Sequence, residues 1–225
     1  MHRLVPVALA AAIAAVLLGA GAAPAAPPGS SYTVTPLVTD ATDFHNGRVD
    51  VFNGSFGLVM RPGAFVDPGL PSDYAPFGIQ TIGSRIFVTY AKQEAGSNDE
   101  QHGQGLGFVD VYDVHGNLLG RVAQHGQLNA PWGLAWAPAS FGRFGGDLLV
   151  GNFGDGQINA YEELSNGQFE HRGTLRSSDG GKLAIDGLWA LQFGNDHAAG
   201  PSSQLFFTAG PNDEADGLFG TITTG

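Results

Sequence analysis

The sequence predicts an all-β fold, a β-propeller of four-stranded antiparallel blades with about four blades recognisable. The main observation is a glycine followed by a short apolar run, which occurs four times, at Gly47, Gly107, Gly156 and Gly217. These glycines lie 60, 49 and 61 residues apart, and self-similarity at roughly this period indicates a propeller or another repeat array. The chain is also rich in turn formers, with 35 glycines and 13 prolines among 225 residues. This composition is typical of many short strands joined by tight turns.

Each recognisable unit divides into four predicted strands. The first strand carries an aromatic residue at an equivalent position, and the three copies are Phe77, Trp132 and Trp189. Second strands are predicted at residues 85–90, 147–152 and 204–209, third strands after the recurring glycines, and fourth strands at residues 117–122 and 168–175. Asn-Gly pairs, which begin at Asn46, Asn53 and Asn166, are typical of hairpin turns that require positive φ.

The two ends of the repeat array are incomplete. Residues 43–47 align with residues 152–156, so the first blade lacks its beginning, and the last unit stops after its third strand at residues 221–223. A further strand is predicted at residues 32–38. Two arrangements stay open: this strand completes the last blade and closes the ring, or the array is open at its ends.

The N-terminus predicts export. A basic start, an apolar run over residues 4–18 and small residues up to Ala26 are typical of a secretory signal peptide. We therefore expect a signal peptide at residues 1–26, a linker at 27–31 and one propeller domain at 32–225. The mature chain then has no membrane span, and its expected location is the periplasm or the extracellular space.

Composition restricts the partners. The net charge is −11 and the chain has no cysteine, so a basic footprint for nucleic acid is lacking and disulfides and thiolate metal sites are excluded. The expected partner is an extracellular ligand or protein.

Several segments together resemble an uncharacterised family of exported bacterial proteins that often carry PEP-CTERM sorting signals and look like propellers related to NHL-repeat proteins. The segments that carry the resemblance are residues 32–40, 47–52, 74–80, 88–93, 149–156, 185–189 and 207–214. The resemblance implies a propeller fold and export, and it implies no activity. Against that family, this chain looks internally shortened near residues 38–44, and it ends without the sorting tail.

Acidic and amide side chains cluster in the predicted loops between second and third strands, which share one face of a propeller. Oxygen ligands of this kind suit Ca²⁺ or another divalent cation, although Asp and Asn are also ordinary turn formers. The candidate metal ligands are Asp43, Asn152, Asp155, Asp186, Asn212 and Asp213, and the other residues of the candidate ligand face are His45, Glu94, Asp99, Glu100, Glu214 and Asp216. The remaining loop histidines, His102 among them, have no catalytic motif around them.

These observations favour an exported binding or scaffolding propeller with a polar ligand face and either no cofactor or a bound divalent cation. One alternative is a hydrolase or lactonase that depends on a divalent metal held by the acidic face. Another is a shortened family member without function. The aromatic residues of the first strands are expected to pack between blades, and the alternative for them is a carbohydrate platform.

Overall fold

A computed structural model describes residues 39–225, which lie within one compact unit. They form four antiparallel sheets of three or four strands, which confirms the predicted all-β fold class. The strands are β1 (Thr39–Asp43), β2 (Arg48–Phe52), β3 (Leu58–Val59), β4 (Tyr74–Ile82), β5 (Arg85–Lys92), β6 (Phe108–Asp113), β7 (Leu118–Gln124), β8 (Pro131–Trp136), β9 (Leu148–Asn152), β10 (Ile158–Glu163), β11 (Phe169–Thr174), β12 (Leu188–Phe193), β13 (Leu205–Ala209) and β14 (Leu218–Ile222). A 3₁₀ turn lies between β8 and β9, at Gly142–Phe144.

The sheets follow one another along the chain in the orders β1-β2-β3, β4-β5-β6-β7, β8-β9-β10-β11 and β12-β13-β14. Consecutive strands pair within each sheet, which is the up-and-down connectivity of propeller blades. The inner strands β4, β8 and β12 contact one another in that sequence, and β1 of the first sheet contacts β4. The third strands β2, β6, β10 and β14 begin one or two residues after the recurring glycines, as predicted.

Both end blades have three strands among residues 39–225. Because β2 is the glycine-headed third strand, β1 corresponds to the second strand of a complete blade, and no inner strand of that blade lies among the described residues. In the fourth sheet, no outer strand pairs with β14 within the same range. The predicted strand at 32–38, the ring closure it would make, the signal peptide and the linker all fall outside the described residues.

Three apolar layers hold the blades together, because side chains alternate between the two faces of each strand. In β5, Ile86 and Val88 pack toward the first sheet, whereas Phe87 packs toward the third. Phe87 and Val88 are fully buried, and burying a side chain of this size contributes about 1.5–3 kcal/mol. The continuous apolar strands of the sequence are therefore explained by burial on both faces.

Two glycines allow the inner strands to approach one another. A Cβ atom on Gly78 of β4 would lie 2.3 Å from the carbonyl oxygen of Trp132 in β8, and one on Gly133 would lie 2.5 Å from that of Trp189. Each glycine follows the aromatic residue of its first strand, and that residue sits in a β-bulge in β4 and β8. The bulge and the glycine together bring neighbouring backbones into contact.

The turn after β2 differs from the prediction. Gly54 does not supply the positive φ expected of an Asn-Gly pair, and Phe56 has φ 59° instead. The physical reason is a longer turn: Oδ1 of Asn53 accepts hydrogen bonds from the backbone amides of Ser55 and Gly57, both at 2.9 Å. Gly47 and Gly167, by contrast, have φ of 65° and 79°.

Candidate ligand-binding face

The loops between second and third strands lie beside the blade-to-blade crossovers, as predicted. In the second blade, the backbone amide of Gly103 donates to Oδ1 of Asn129 at 2.7 Å. In the third, Ile185 N–H donates to the carbonyl of Gly156 at 3.0 Å. We call the surface formed by these loops and crossovers the loop face.

Asp43, at the end of β1, holds a turn. Its carboxylate accepts hydrogen bonds from the backbone amide of Asn46 at 3.1 Å and from the Asn46 side chain at 2.7 Å. Arg48 approaches the same carboxylate at 3.3 Å. Both oxygens of Asp43 therefore have partners within its own hairpin.

Asn152 and Asp155 lie in one turn of the third blade. Nδ2 of Asn152 donates to Oδ1 of Asp155 at 3.0 Å and to the carbonyl of Gln127 at 2.8 Å. Asn152 is fully buried, and its Oδ1 has no hydrogen-bond partner among the residues that the structure describes. Buried acceptors normally have a partner, so this oxygen is the one predicted ligand atom that is both buried and unpaired.

The loop after β13 contains the third group of predicted ligands. Oδ2 of Asp186 accepts from the backbone amide of Asn212 at 3.0 Å, and the Asn212 side chain donates to Asp216 at 2.6 Å. Asn212, Asp213 and Glu214 have φ of 58°, 51° and 62°. Three successive non-glycine residues in the left-handed region are costly, by roughly 1–2 kcal/mol each, so the surrounding hydrogen bonds stabilise an unfavourable backbone.

The predicted metal ligands thus lie in three local groups rather than around one point. Within residues 39–225, no group of three or more His, Asp or Glu side chains is arranged to hold a metal ion. The metal site stays a prediction.

Four of the other candidate residues, His45, Glu94, Asp99 and Glu100, lie in or near the long loop of the second blade, whereas Glu214 and Asp216 lie in the loop after β13. Glu94 and Asp99 pair through their backbones, Glu94 N–H donating to the carbonyl of Asp99 at 2.9 Å. The Asp99 carboxylate accepts from Ser97 at 2.7 Å. His45 is exposed on the neighbouring loop, and it lines an open depression of about 530 Å³ together with Lys92 and residues of the long loop.

Glu100 pairs with His102 in the same loop. Oε1 of Glu100 lies 2.8 Å from Nε2 of His102. The Glu100 side chain is 15% exposed and that of His102 is 50% exposed. The histidine and Phe153 rings are edge-to-face, with centroids 5.5 Å apart, so a hydrogen-bonded carboxylate and imidazole lie next to an aromatic surface.

Four aromatic side chains from three sheets meet on the loop face, and we call them the aromatic floor. The ring centroids of Phe77 and Trp132 are 4.5 Å apart, and Phe44 lies 5.0 Å from Phe77. Phe153 completes the floor, 6.2 Å from Trp132. Phe77 is buried, whereas the other three rings are partly exposed. Gln93 borders the floor, since its amide donates to the carbonyl of Phe44 at 2.7 Å.

Reasoning from sequence gave a carbohydrate platform of the first-strand aromatic residues as an alternative, and it missed the contributions of Phe44 and Phe153 and the pairing of Glu100 with His102. The equivalent positions of Phe77 and Trp132 were visible in the repeat, but Phe44 and Phe153 follow the second strands and join them only through the fold. His102 carries no motif that would have marked it.

No known protein-family model matches the chain. Three uncharacterised proteins of Acanthamoeba polyphaga mimivirus are similar to it: one is 32% identical over 185 residues and another 33% identical over 189 residues, each across 80% of this chain. The matches cover 44% and 47% of those proteins, and 34% of the third. The chain therefore spans less than half the length of the viral relatives.

Two solved structures share its fold. A gluconolactonase from Xanthomonas campestris matches with a TM-score of 0.50 and 16% identity, over 84% of this chain and 59% of that one. A candidate gluconolactonase matches with a TM-score of 0.51 and 16% identity, over 83% and 60%. At this identity the likeness establishes the propeller fold alone. No helix among residues 39–225 meets the length and apolarity needed to cross a bilayer.

Proposed function

We propose that this chain is a binding propeller that takes its ligand on the loop face, above the aromatic floor. The observation that carries the proposal is the convergence of partly exposed Phe44, Trp132 and Phe153 around Phe77, from three sheets, beside polar groups. Apolar surface with a few placed polar groups is typical of small-molecule sites.

The chemistry of the floor favours a neutral ring compound rich in hydroxyl groups, such as a sugar. Aromatic rings offer a flat apolar surface for the apolar side of such a ring, and Glu100 and His102 supply hydrogen-bonding atoms at its edge. The net charge of −11 disfavours an anionic ligand.

The test is calorimetric titration with a panel of neutral oligosaccharides. Trp132→Ala should weaken binding about tenfold, which is about 1.4 kcal/mol. Trp136→Ala is the control, because Trp136 packs between the second and third blades beside Phe87 and Phe169. The proposal fails if no oligosaccharide binds, or if Trp132→Ala binds as well as the unchanged chain.

We also propose that the chain is exported, on the basis of the basic start and the apolar run at its N-terminus. Fusion of residues 1–31 to a reporter enzyme in a bacterial host tests this. Export of the reporter supports the proposal, and retention in the cytoplasm overturns it.

A metal-dependent lactonase is the second candidate, favoured by the unpaired, buried Oδ1 of Asn152 beside Asp155. The fold shared with gluconolactonases makes this chemistry worth testing. Asn152 and Asp155 would contribute oxygen ligands to Ca²⁺, which would polarise a lactone carbonyl. Hydrolysis of gluconolactone that depends on Ca²⁺ and is lost in Asn152→Ala would support it. No hydrolysis, together with a melting curve that is the same in Ca²⁺ and EDTA, would overturn it.

A further inference from the structure

The fourth sheet has one face covered by the third sheet and one face that no other sheet covers within residues 39–225. Leu205 and Phe207 of β13 point to the third sheet and belong to the apolar layer there. Because side chains alternate along a strand, Phe206 and Thr208 point to the opposite face. In the antiparallel register, Thr208 lies opposite Phe219 of β14, so Phe219 is on that face too.

Comparison with equivalent positions in the third blade shows what kind of surface this face is. By position in the second strand, Phe206 is equivalent to Leu149, which is fully buried against the following blade. By position in the third strand, Phe219 is equivalent to Ile158, which is also fully buried, yet Phe219 is 56% exposed. Phe206 and Phe219 stack on each other at 5.8 Å. The free face of the fourth sheet therefore has the residues of a blade-to-blade contact, and no following blade covers it within residues 39–225.

The first sheet offers the complementary surface. Its Val49 and Val51 pack toward the second sheet, so Arg48, Asp50 and Phe52 lie on the other face. In the second blade the equivalent third-strand positions, such as Phe108 and Tyr112, pack against the preceding blade. The free face of the first sheet is thus the surface that a preceding blade would cover.

We propose that two copies of this chain associate head to tail, with the free face of the fourth sheet of one copy on the free face of the first sheet of the other. This interaction reproduces between copies the contact that joins successive blades within one copy. Contacts of this type are heterologous, and they close into a ring when the rotation between copies allows it.

The charges on the two faces permit the association. The fourth-sheet face is uncharged in its centre, where Thr208 and Thr221 lie beside Phe219. On the first-sheet face, Arg48 pairs with Asp50 at 2.7 Å and Asp43 at 3.3 Å, which neutralises part of the acidic charge. Since the whole chain carries −11, added salt should strengthen association by screening the repulsion between copies.

Disulfide trapping tests the geometry, because the chain has no cysteine of its own. Thr221→Cys places a thiol on the fourth-sheet face, and Ala41→Cys places one on the first-sheet face, opposite Asp50 in the register. Equimolar mixing of the two variants, one with a size tag, should yield the mixed disulfide as the main product. Self-linked Thr221→Cys as the main product would show a face-to-face dimer and overturn the proposal.

Light scattering after size exclusion tests the association itself. The unchanged chain should shift from monomer to a larger species as concentration rises, and Phe219→Lys should stay monomeric with an unchanged circular dichroism spectrum. Leu119→Lys is the matched control, because Leu119 is also 56% exposed and lies on β7 of the second sheet. A chain that is monomeric at every concentration overturns the proposal, as does equal loss of association in both variants.

Discussion

Arg121 of β7 lies directly opposite Asp110 of β6, and its Nε donates a hydrogen bond to the fully buried Asp110 carboxylate. The other end of the guanidinium binds Asp67, in the segment that connects the first and second blades. The Arg121 guanidinium also lies 4.6 Å from the ring centroid of Phe108. One cation thus joins two strands and a crossover at a buried position.

We predict that Arg121→Met destabilises the fold by about 3–5 kcal/mol, because removing one partner of a buried ion pair leaves an uncompensated charge. Urea unfolding followed by tryptophan fluorescence measures the loss. Arg176→Met is the control, since Arg176 is exposed and binds only a local carbonyl, that of Gly180. Equal losses in the two variants would contradict the prediction.

The loss of folding stability in Arg121→Met should depend on pH. Burial raises the pKa of Asp110 from 3.8 to about 7 in the intact protein, and loss of the neighbouring Arg121 cation should raise that pKa further because it removes a charge that favours the carboxylate. In the folded variant the carboxyl then stays protonated well above the unfolded pKa, so stability is lost as pH rises from about 4 through the raised folded pKa. Unfolding free energies measured across this range should decline more steeply in Arg121→Met than in Arg121→Met combined with Asp110→Asn. Parallel profiles of unfolding free energy against pH in the two variants would contradict this pH dependence.

A second prediction concerns the contact between inner strands. Gly78→Ala adds a Cβ where backbone lies 2.3 Å away, and backbone cannot move aside as a flexible side chain can. We expect a loss of about 1–3 kcal/mol or more, the range for overpacked cores. Thermal and urea unfolding measure it. Gly120→Ala is the control, because a Cβ there meets nothing within 4 Å and should leave stability almost unchanged.

The fold could be predicted from sequence because the same pattern of buried positions recurs in every blade. The glycine-headed strands and the aromatic first strands specify the same two-sided packing in every blade, so β6 and β10 were located by alignment with each other. The two-residue strand β3 was not predicted, since Leu58 and Val59 pair only with the end of β2 and carry little pattern of their own.

Less of the candidate site could be predicted from the sequence. Acidic residues were expected to converge on one face, but the oxygens of several have local partners: Asp155 accepts from its neighbours Asn152 and Gln157. Turn formation and metal binding use the same residue types, so composition cannot distinguish them. The aromatic floor depends on the relative placement of three sheets, which no local pattern encodes.

A third prediction concerns two buried tyrosines between the first and second blades. The hydroxyls of Tyr90 and Tyr112 are 2.6 Å apart, and both side chains are almost fully buried. Burial raises the pKa of both hydroxyls above the ordinary value of 10, so both stay neutral. Tyr112→Phe should cost about 1–3 kcal/mol because it leaves the Tyr90 hydroxyl without this partner.

A double-mutant cycle isolates that interaction. The combined Tyr90→Phe and Tyr112→Phe variant should lose less stability than the sum of the two single variants, because each single variant already removes the shared hydrogen bond. Urea unfolding of the unchanged chain, the two single variants and the double variant gives the coupling free energy between the two hydroxyls. Strict additivity would show that the two hydroxyls do not stabilise each other.

The fourth prediction concerns an ion pair that links the second and third blades, between the start of β5 and the end of β10. Arg85 donates from both terminal nitrogens to Glu163, at 2.6 and 2.8 Å, and its guanidinium lies 5.5 Å from the ring centroid of Trp136. A lysine keeps the charge but not the two parallel hydrogen bonds. Arg85→Lys should therefore lose about 1 kcal/mol, somewhat more than the median surface ion pair. Arg172→Lys is the control, because Arg172 makes one hydrogen bond, at 2.9 Å, with the partly exposed Glu162 and only a longer contact, at 3.8 Å, with Asp147. Thermal unfolding at low and high salt should show a larger loss of stability for Arg85→Lys than for Arg172→Lys at both salt concentrations. A loss of stability that vanishes at high salt would contradict the prediction, because it would mean that charge alone holds the contact.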